Sequence, residues 1–353
     1  MTHTPCSLNG SACLSSEDCI TGLKCQFLND KPQCQDVDEC EDSPCSSSYD
    51  CVNIVGSYRC VLKEGMNSIV MLGGVDRNTG SMNNDIQVYD NEYKSCEHSI
   101  PQLPRYINDD SGFVTLNDVL YVCGGWVSTS SSYTHAECYS LDLTIEDPQW
   151  KRIADMYVDK KAFGFVAAQN QLYAMNGRTC STQSCYGHDF SHKYDPATDT
   201  WTELAVSGNN NEFKVYNPCV VYDDYFNKIL VIGGYQDYYK KYTTQITQFY
   251  VSGQYIDGWS HTPRPFLGGC AIVRNSKNTR VLIISGYFVN YRSYSSHTYS
   301  MALTSSSPNS WSRIPSSAVY LRNANILNFN LYEATVIGGC SYLGSGCSIK
   351  AGL

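Results

Sequence analysis

The sequence has little positive charge and no long apolar run. Its 353 residues carry 25 Lys and Arg against 34 Asp and Glu, a formal net charge of −9. The basic residues form no stripe, and Lys240 with Lys241 is the nearest approach to one. This charge balance argues against nucleic-acid binding. No stretch approaches the roughly 18 apolar residues of a membrane-spanning helix, so we expect no transmembrane segment.

Common catalytic and metal-binding motifs are also missing. The chain has no G-x-S-x-G nucleophile elbow, no H-E-x-x-H zinc helix and no phosphate-cradling glycine loop. Its cysteines lack the paired C-x-x-C spacing of zinc knuckles. We therefore expect a protein that is not an enzyme, without catalytic residues.

A repeated segment dominates the rest of the sequence. Six times, at similar intervals, an aliphatic run ends in a glycine pair or its near equivalent, and its last residues are Gly74, Gly125, Gly177, Gly234, Gly286 and Gly339. A tryptophan follows four of these segments at a nearly constant distance: Trp150, Trp201, Trp259 and Trp311. Short runs rich in Val, Ile and Leu predict strands buried on both faces. The glycines let the backbone leave a strand where a side chain would clash with the next unit.

A period of about fifty residues with paired glycines, tyrosine and tryptophan resembles the kelch β-propeller pattern. The resemblance implies an all-β fold, a six-bladed kelch β-propeller over residues 65–353, with a small disulfide-rich N-terminal head. Tryptophan and tyrosine can pack between neighbouring blades while keeping a hydrogen-bonding tip. The last unit should contain strands near 323–329, 332–337 and 347–353. The closing blade is short, or the strand boundaries differ from these, or another chain completes it by strand addition.

The 18 cysteines indicate an oxidising compartment. Nine of them lie in the first sixty residues, a density that indicates disulfides in a segment with almost no core. We expect an extracellular protein, either secreted or associated with the cell surface. Residues 1–35 form one cysteine-rich module and residues 36–64 a partial EGF-like module. Asn9, in an Asn-Gly-Ser sequence, is the candidate glycosylation site.

Residues 36–60 resemble the opening of a calcium-binding EGF-like module, with Asp-Val-Asp-Glu-Cys at 36–40 and later spacings that match. The resemblance implies two bridges: Cys40–Cys51 and Cys45–Cys60. It also implies calcium as a cofactor, held by side-chain oxygens or backbone carbonyls of Asp36, Val37, Glu39, Asn53, Ile54 and Ser57. The full module has two further cysteines that this chain lacks. The alternative is therefore an acidic linker with two structural bridges.

The head and the propeller region each contain nine cysteines, an odd number, so full oxidation needs a bridge between them or to another molecule. Positions within the repeats favour three pairs: Cys123–Cys138, Cys180–Cys185 and Cys340–Cys347. Cys219 and Cys270 occupy comparable places on the inner strands of neighbouring blades. Cys96 remains, and we expect it to bridge to Cys34, which would fix the head against the first blade.

Tyrosine is over-represented, with 28 residues. Two tyrosine-rich stretches follow equivalent strands of the fourth and fifth repeats: Tyr235, Tyr238, Tyr239 and Tyr242, then Tyr287, Tyr291 and Tyr294. Because both stretches leave the same end of successive second strands, we expect loops that lie side by side. Tyrosine is enriched in recognition surfaces, so these residues are candidates for partner binding. The alternative is that they only pack the loops against each other.

EGF-like and kelch modules together resemble the combination in attractin-like surface proteins, which implies adhesion or matrix interaction. We expect a secreted, non-enzymatic structural or adhesion protein whose partners are other extracellular proteins or copies of itself. It is either a binding module for a separate partner or a subunit of an extracellular filament or matrix.

The alternative function is a kelch-type copper-radical enzyme of the galactose-oxidase type, or another sugar-active enzyme. That type holds copper with two tyrosines and two histidines near the propeller axis. Six of the seven histidines lie in the propeller region, and they have no shared position relative to the glycine pairs: His98, His135, His188, His192, His261 and His297. This scatter disfavours a copper site.

Overall fold

The structure is a computed structural model. The residues that it describes are 13, 15–16, 19, 21–29, 31–45, 49–62, 69–75, 82–89, 101–104, 110–125, 133–143, 148–181, 184–187, 191–204, 214–252, 255–274, 280–290, 293–303, 310–314, 325–328, 334–337 and 351–352. In parts of several strands the description covers the backbone only. The chain divides into two compact units. The first unit comprises Met1–Val70, Gln87–Ile100 and Asp142–Gln149, and the second comprises Met71–Ile86, Pro101–Leu141 and Trp150–Leu353.

In its described residues the head contains two antiparallel hairpins and a short 3-10 helix between them. Its strands are β1 (Leu23–Leu28), β2 (Lys31–Asp36), β3 (Tyr49–Ile54) and β4 (Ser57–Leu62). A 3-10 helix, Glu39–Asp42, lies between β2 and β3, and the Asp38 side chain caps it by accepting from the Cys40 amide. No helix in the described residues is both long enough and apolar enough to cross a membrane.

Strands account for nearly all regular structure in the rest of the described chain. They are β5 (Ile69–Val75), β6 (Met82–Tyr89), β7 (Gly112–Leu116), β8 (Val119–Cys123), β9 (Cys138–Asp142), β10 (Lys151–Ile153), β11 (Gly164–Ala168), β12 (Gln171–Met175), β13 (Arg178–Cys180), β14 (Cys185–Gly187), β15 (Ser191–Asp195), β16 (Thr200–Leu204), β17 (Val215–Tyr216), β18 (Cys219–Asp223), β19 (Lys228–Ile232), β20 (Tyr235–Gln236), β21 (Lys241–Tyr242), β22 (Gln245–Tyr250), β23 (Tyr255–His261), β24 (Phe266–Arg274), β25 (Arg280–Asn290), β26 (Ser293–Ala302), β27 (Ser312–Ile314), β28 (Asn325–Asn328), β29 (Ala334–Ile337) and β30 (Ala351–Gly352).

Successive sheets follow one pattern. Among the described strands, four sheets have four strands each, in the orders β7-β8-β9-β10, β11-β12-β15-β16, β18-β19-β22-β23 and β24-β25-β26-β27. Strands β28, β29 and β30 form a three-stranded sheet, close to the segments expected there. The first strands of consecutive sheets adjoin, from β7 to β11, β18, β24 and β28. Antiparallel four-stranded sheets that adjoin through their first strands are the blades of a β-propeller.

The second strands supply most of the core between the sheets. All five residues of β19 are buried, and four of the five residues in β8 and in β12 are buried. Leu172, Tyr194 and Trp201 pack with Tyr121 of the preceding sheet. Burying such side chains stabilises each sheet by about 1.5–3 kcal/mol per large apolar residue. The predicted two-sided burial of these runs is therefore confirmed for β8, β12 and β19.

Glycine pairs end the second strands where the next sheet approaches closely. Gly124 has a φ of 64°, and a Cβ atom there would lie 2.5 Å from the carbonyl oxygen of Lys160. Gly286 differs, because it pairs with Gly268 on one side and with His297 on the other. With a partner strand continuing on each side, β25 runs on to Asn290. The expectation of a loop there was wrong, since Tyr287 lies within β25 and Tyr294 within β26.

Three tryptophans each form a hydrogen bond to a backbone carbonyl about one repeat earlier in the chain. The indole Nε1 of Trp150 donates to the Pro101 carbonyl at 3.0 Å. Trp201 donates to Ala154 at 2.9 Å, and Trp311 donates to His261 at 2.8 Å. Each indole thus packs between repeats and keeps its polar tip satisfied, as the sequence predicts.

The structure describes both partners of six disulfides: Cys13–Cys25, Cys19–Cys34, Cys40–Cys51, Cys123–Cys138, Cys180–Cys185 and Cys219–Cys270. The pairs Cys40–Cys51, Cys123–Cys138 and Cys180–Cys185 coincide with those expected from the sequence. Cys219–Cys270 joins the first strands of two neighbouring sheets. Cys45 is also disulfide-bonded, but the side chain of its expected partner Cys60 lies outside the described part.

The predicted bridge from Cys34 to Cys96 is wrong. The β1–β2 hairpin places Cys34 in the small core of the head, where it is fully buried and bonded to Cys19. Its sulfur is therefore committed within the head. Cys96 itself lies outside the described residues, as do Asn9, Cys340 and Cys347.

Candidate functional site

Two small hairpins project from the same end of neighbouring blades. The hairpin β13–β14 begins directly after Gly177, and β20–β21 begins directly after Gly234, at equivalent positions of the repeat. Strand β17 pairs with β20 and extends the second hairpin to three strands. The two hairpins touch, because the Gly187 amide donates to the Asp237 carboxylate at 3.2 Å. The side-by-side loops expected for the fourth and fifth repeats thus occur between the third and fourth.

Half-buried aromatic rings support these hairpins. The Tyr235 ring lies 5.0 Å from the Tyr216 ring and 5.0 Å from the Tyr242 ring, measured between centroids. The Arg178 guanidinium lies 4.1 Å above the Tyr216 ring and so connects the two hairpins. Burial raises the pKa of Tyr216 to about 12, so its phenol stays neutral under physiological conditions.

Three further tyrosines are exposed on this support. Tyr186, Tyr238 and Tyr239 are 52%, 65% and 41% exposed. The Tyr238 and Tyr239 rings lie 5.0 Å apart in an edge-to-face arrangement. We call the exposed face of β13–β14 and β17–β20–β21 the tyrosine surface. Exposed aromatic rings held on a hydrogen-bonded base are typical of recognition surfaces.

Lysines give this surface its charge. Lys240 and Lys241 are exposed at the turn and start of β21, and the Lys241 ammonium lies 5.1 Å from the Tyr239 ring centroid. Lys240 pairs with Asp237 at 2.8 Å. Burial of Asp237 opposes its ionisation, but hydrogen bonds from Lys240 and Gly187 outweigh this and lower the pKa of its carboxyl. Asp237 is therefore ionised at neutral pH and occupied by contacts within the hairpins.

The predicted partner-binding residues separate into two groups. Tyr235, Tyr238, Tyr239 and Tyr242 all belong to the β20–β21 hairpin. Tyr291 and the side chains of Tyr287 and Tyr294 lie outside the description. Sequence reasoning missed Tyr186 and Tyr216. The cysteine pair around the β13–β14 turn follows the repeat glycine Gly177 and could have indicated a hairpin that contains Tyr186. No local pattern indicates that Tyr216 belongs to the site.

In the head, the structure brings together the ends of β2 and of the β3–β4 hairpin. The Asp36 carboxylate accepts from the Asn53 side-chain amide at 2.9 Å and from the Gly56 backbone amide at 2.6 Å. Ile54 and Ser57 are the last paired residues before the turn. Four of the six predicted calcium ligands thus lie at or beside this turn: Asp36, Asn53, Ile54 and Ser57.

Glu39 carries a buried oxygen that points to a cation. Its Oε2 atom is inaccessible to solvent and has no hydrogen-bond partner among the described residues. A buried carboxylate oxygen without a partner is unfavourable, and a hard cation would satisfy it. The donor set of Asp36, Glu39 and Asn53, with nearby backbone carbonyls such as that of Val37, fits calcium.

Other metal sites find little support among the described side chains. The described His, Cys, Asp and Glu groups that approach closely enough to share an ion are Cys13, Cys19 and Cys34, and all three are in disulfides. His192 is buried in β15, whereas His135 precedes β9 and His261 ends β23. His98, His188 and the side chain of His297 lie outside the description.

The described sheets and the head define the class: an all-β protein whose sheets are arranged as propeller blades and whose head resembles an EGF-like module. Residues 36–74 match the family model of the calcium-binding EGF domain, and residues 110–157 match the Kelch motif. Both resemblances seen in the sequence are thereby confirmed. Modules of these two kinds are typical of protein–protein interaction.

Curated relatives match parts of the chain. Kelch-like protein 26 of Danio rerio is 27% identical over 48% of this chain and 26% of its own length. Kelch-like protein 35 of Mus musculus is 25% identical over 62% of this chain and 34% of its own length. A cubilin homolog of Caenorhabditis elegans is 43% identical over 12% of this chain and 1% of its own length. The chain therefore spans about a third or less of these relatives.

Among solved structures, that of YjhT is similar, with a TM-score of 0.51 and 16% sequence identity. The similarity covers 67% of this chain and 73% of that chain. It supports the propeller fold alone.

Proposed function

We propose that the protein is a secreted, non-enzymatic extracellular scaffold that contacts other proteins or copies of itself through the tyrosine surface. One observation carries the proposal: Tyr186, Tyr238 and Tyr239 are exposed on two hairpins that are hydrogen-bonded to each other. Tyrosine supplies a large contact area at low entropic cost. A rigid base lowers the ordering cost of binding, because the rings are already in place.

The extracellular location rests on the disulfides and on the EGF-type head. Disulfides persist in oxidising compartments and stabilise small modules that lack a large core. In this proposal residues 1–35 and 36–64 form the head, and residues 65–353 form six blades, one for each glycine-terminated segment. Asn9 glycosylation and the Cys45–Cys60 and Cys340–Cys347 bridges belong to the same proposal.

The proposed cofactor is calcium, held by side-chain oxygens of Asp36, Glu39 and Asn53 and by nearby backbone carbonyls. The bound ion would supply positive charge where the end of β2, the 3-10 helix and the β3–β4 turn meet. These residues would then be held together by a common ligand as well as by the Asp36 hydrogen bonds.

The calcium site predicts different effects for two neighbouring acidic residues. Glu39→Gln removes a ligand charge, so we expect the affinity for Ca²⁺ to fall by about tenfold or more. Glu41→Gln is the matched control, because Glu41 is exposed in the same 3-10 helix. Isothermal titration of the full chain with CaCl₂ measures both affinities. Equal affinities of the two variants, or no binding by the parent chain, would refute the site.

The tyrosine surface predicts a loss of association. We expect the double variant Tyr238→Ser with Tyr239→Ser to weaken self-association or partner binding by about tenfold or more, since aromatic anchors dominate interface energies. Sedimentation equilibrium of the full chain at several concentrations measures the self-association constant. Tyr225→Ser is the control: Tyr225 is 69% exposed but lies in the turn between β18 and β19, at the opposite end of the same blade. An unchanged constant in the double variant, with self-association present, would contradict the proposal.

A further inference from the structure

A second exposed surface in the chain has the opposite charge to the tyrosine surface. Asp38, Glu41 and Asp42 are exposed around the 3-10 helix of the head. The Cys40–Cys51 disulfide joins this helix to β3. The β3–β4 hairpin, in turn, exposes three aliphatic side chains near its tip: Val52, Ile54 and Val55. We call these six residues the acidic head face.

The tyrosine surface offers the complementary properties. Lys240 and Lys241 are exposed beside Tyr238 and Tyr239 in the chain, and Arg178 lies over the Tyr216 ring of the same surface. Asp237 offsets the charge of Lys240 through their ion pair, and Lys241 leaves this edge with a net positive charge. The whole chain has a net charge of −9, so a basic aromatic surface is locally distinct from the rest of the molecule.

We propose that the acidic head face of one copy docks on the tyrosine surface of a second copy. This inference rests on the proposed function and names the occupant of its surface. The carboxylates of Glu41 and Asp42 would face Lys240 and Lys241, while the aliphatic tip of the β3–β4 hairpin would cover exposed tyrosine rings. Both charge and apolar character match, and opposite charges across an interface favour one partner and one orientation.

The two faces are different patches of one chain, so the contact is of the heterologous type. Every copy then offers one free face of each kind after it has docked. Such contacts generate rings when the rotation closes and open filaments when it does not. The contact between the acidic head face and the tyrosine surface would thus be enough to build a repeating assembly from copies of this chain alone.

Salt provides a first measurement on the parent chain. Exposed ion pairs are screened as ionic strength rises, because the Debye length falls from about 10 Å at 0.1 M to about 3 Å at 1 M. We expect the self-association constant to fall by about tenfold over this range. Constant association across it would overturn the charge pairing.

Charge reversal gives the decisive test. The first variant carries Lys240→Glu and Lys241→Glu, and the second carries Glu41→Lys and Asp42→Lys, which leaves the proposed calcium ligands intact. Each variant alone presents like charges on both faces, so we expect its self-association constant to fall at least about tenfold. In an equimolar mixture each acidic face meets a basic one. The mixture should recover the parent constant to within about threefold, measured by sedimentation velocity with one variant labelled.

Each outcome of this test has a definite meaning. Recovery in the mixture supports the proposal, whereas two impaired variants that do not complement each other overturn it. A change in monomer sedimentation without any change in association indicates docking within one chain and also overturns it. If head reversal has no effect while Tyr238→Ser with Tyr239→Ser weakens association, this inference fails and the proposed function stands. If neither the head reversal nor the tyrosine double variant changes association, both this inference and the proposed function fail.

Folding is checked separately. Each variant should keep the parent melting temperature and number of disulfides. If a reversed variant does not fold, the neutral pairs Lys240→Gln with Lys241→Gln and Glu41→Gln with Asp42→Asn replace it. They should lower association in the same direction by about two- to fivefold, and unchanged association in both neutral pairs would overturn the proposal.

Discussion

Asp223→Ala is expected to lower the free energy of unfolding by about 3–5 kcal/mol. Asp223 ends β18, is fully buried, and forms an ion pair with Arg280 at the start of β25 in the next blade. The Arg280 side chain is only 8% exposed. Removing the carboxylate leaves a buried guanidinium without its counter-charge. The rings of Tyr225 and Phe226, 4.5 Å and 4.6 Å from the guanidinium carbon, cannot replace that charge.

Two controls separate this effect from a general loss of charge. Asp224→Ala removes the exposed neighbouring carboxylate and should change stability by less than about 0.5 kcal/mol. The double variant Asp223→Leu with Arg280→Met should recover much of the loss, because an apolar pair needs no counter-charge. All five tryptophans lie beyond residue 100, so their fluorescence during urea unfolding reports on the kelch repeats. An Asp223→Ala loss no larger than that of Asp224→Ala would show that the ion pair does not stabilise the interface.

The interface between these two blades is fixed at both ends of one strand. Cys219 begins β18 and is bonded to Cys270 of β24, while Asp223 ends β18 and pairs with Arg280. Between them, buried apolar residues of β19 and β25 pack into one cluster. The covalent bond, the ion pair and the apolar packing therefore act on the same pair of sheets, and this makes their relative motion costly.

Much of the fold could be predicted from local sequence, because most repeats have glycines, a tyrosine and a tryptophan at equivalent positions. The glycine pairs and tryptophans mark positions where neighbouring blades approach, and Gly124 and Trp201 show both contacts directly. The continuation of β25 through Gly286 could not be predicted in this way. Whether a glycine leaves a strand depends on the length of its partner strands, β24 and β26, which are distant in sequence.

The same reasoning explains the error about Cys34. Counting cysteines shows that an odd residue must pair elsewhere, but parity does not identify which residue that is. The β1–β2 hairpin register places Cys34 opposite Cys25 and beside Cys19, a contact that appears only in three dimensions. At the tyrosine surface, likewise, the sequence identified Tyr238 and Tyr239 by density. It could not identify Tyr216, because that residue joins the surface through strand pairing.

The Cys219–Cys270 bridge is expected to stabilise the protein more than the Cys180–Cys185 bridge. The first spans a sequence separation of 51 residues and the second a separation of 5. Loop-closure entropy in the unfolded chain then gives about 4 kcal/mol for the first and about 2 kcal/mol for the second. The comparison needs two variants: Cys219→Ala with Cys270→Ala, and Cys180→Ala with Cys185→Ala.

The location of the two bridges makes this comparison informative. Cys219–Cys270 connects separate blades, whereas Cys180–Cys185 closes the turn of one hairpin at the tyrosine surface. Urea unfolding followed by tryptophan fluorescence should therefore show the larger loss for the inter-blade variant, and sedimentation should show the larger loss of association for the hairpin variant. Equal losses of stability would contradict the loop-entropy account, because the two variants remove the same chemical bond and differ mainly in the length of chain that it closes.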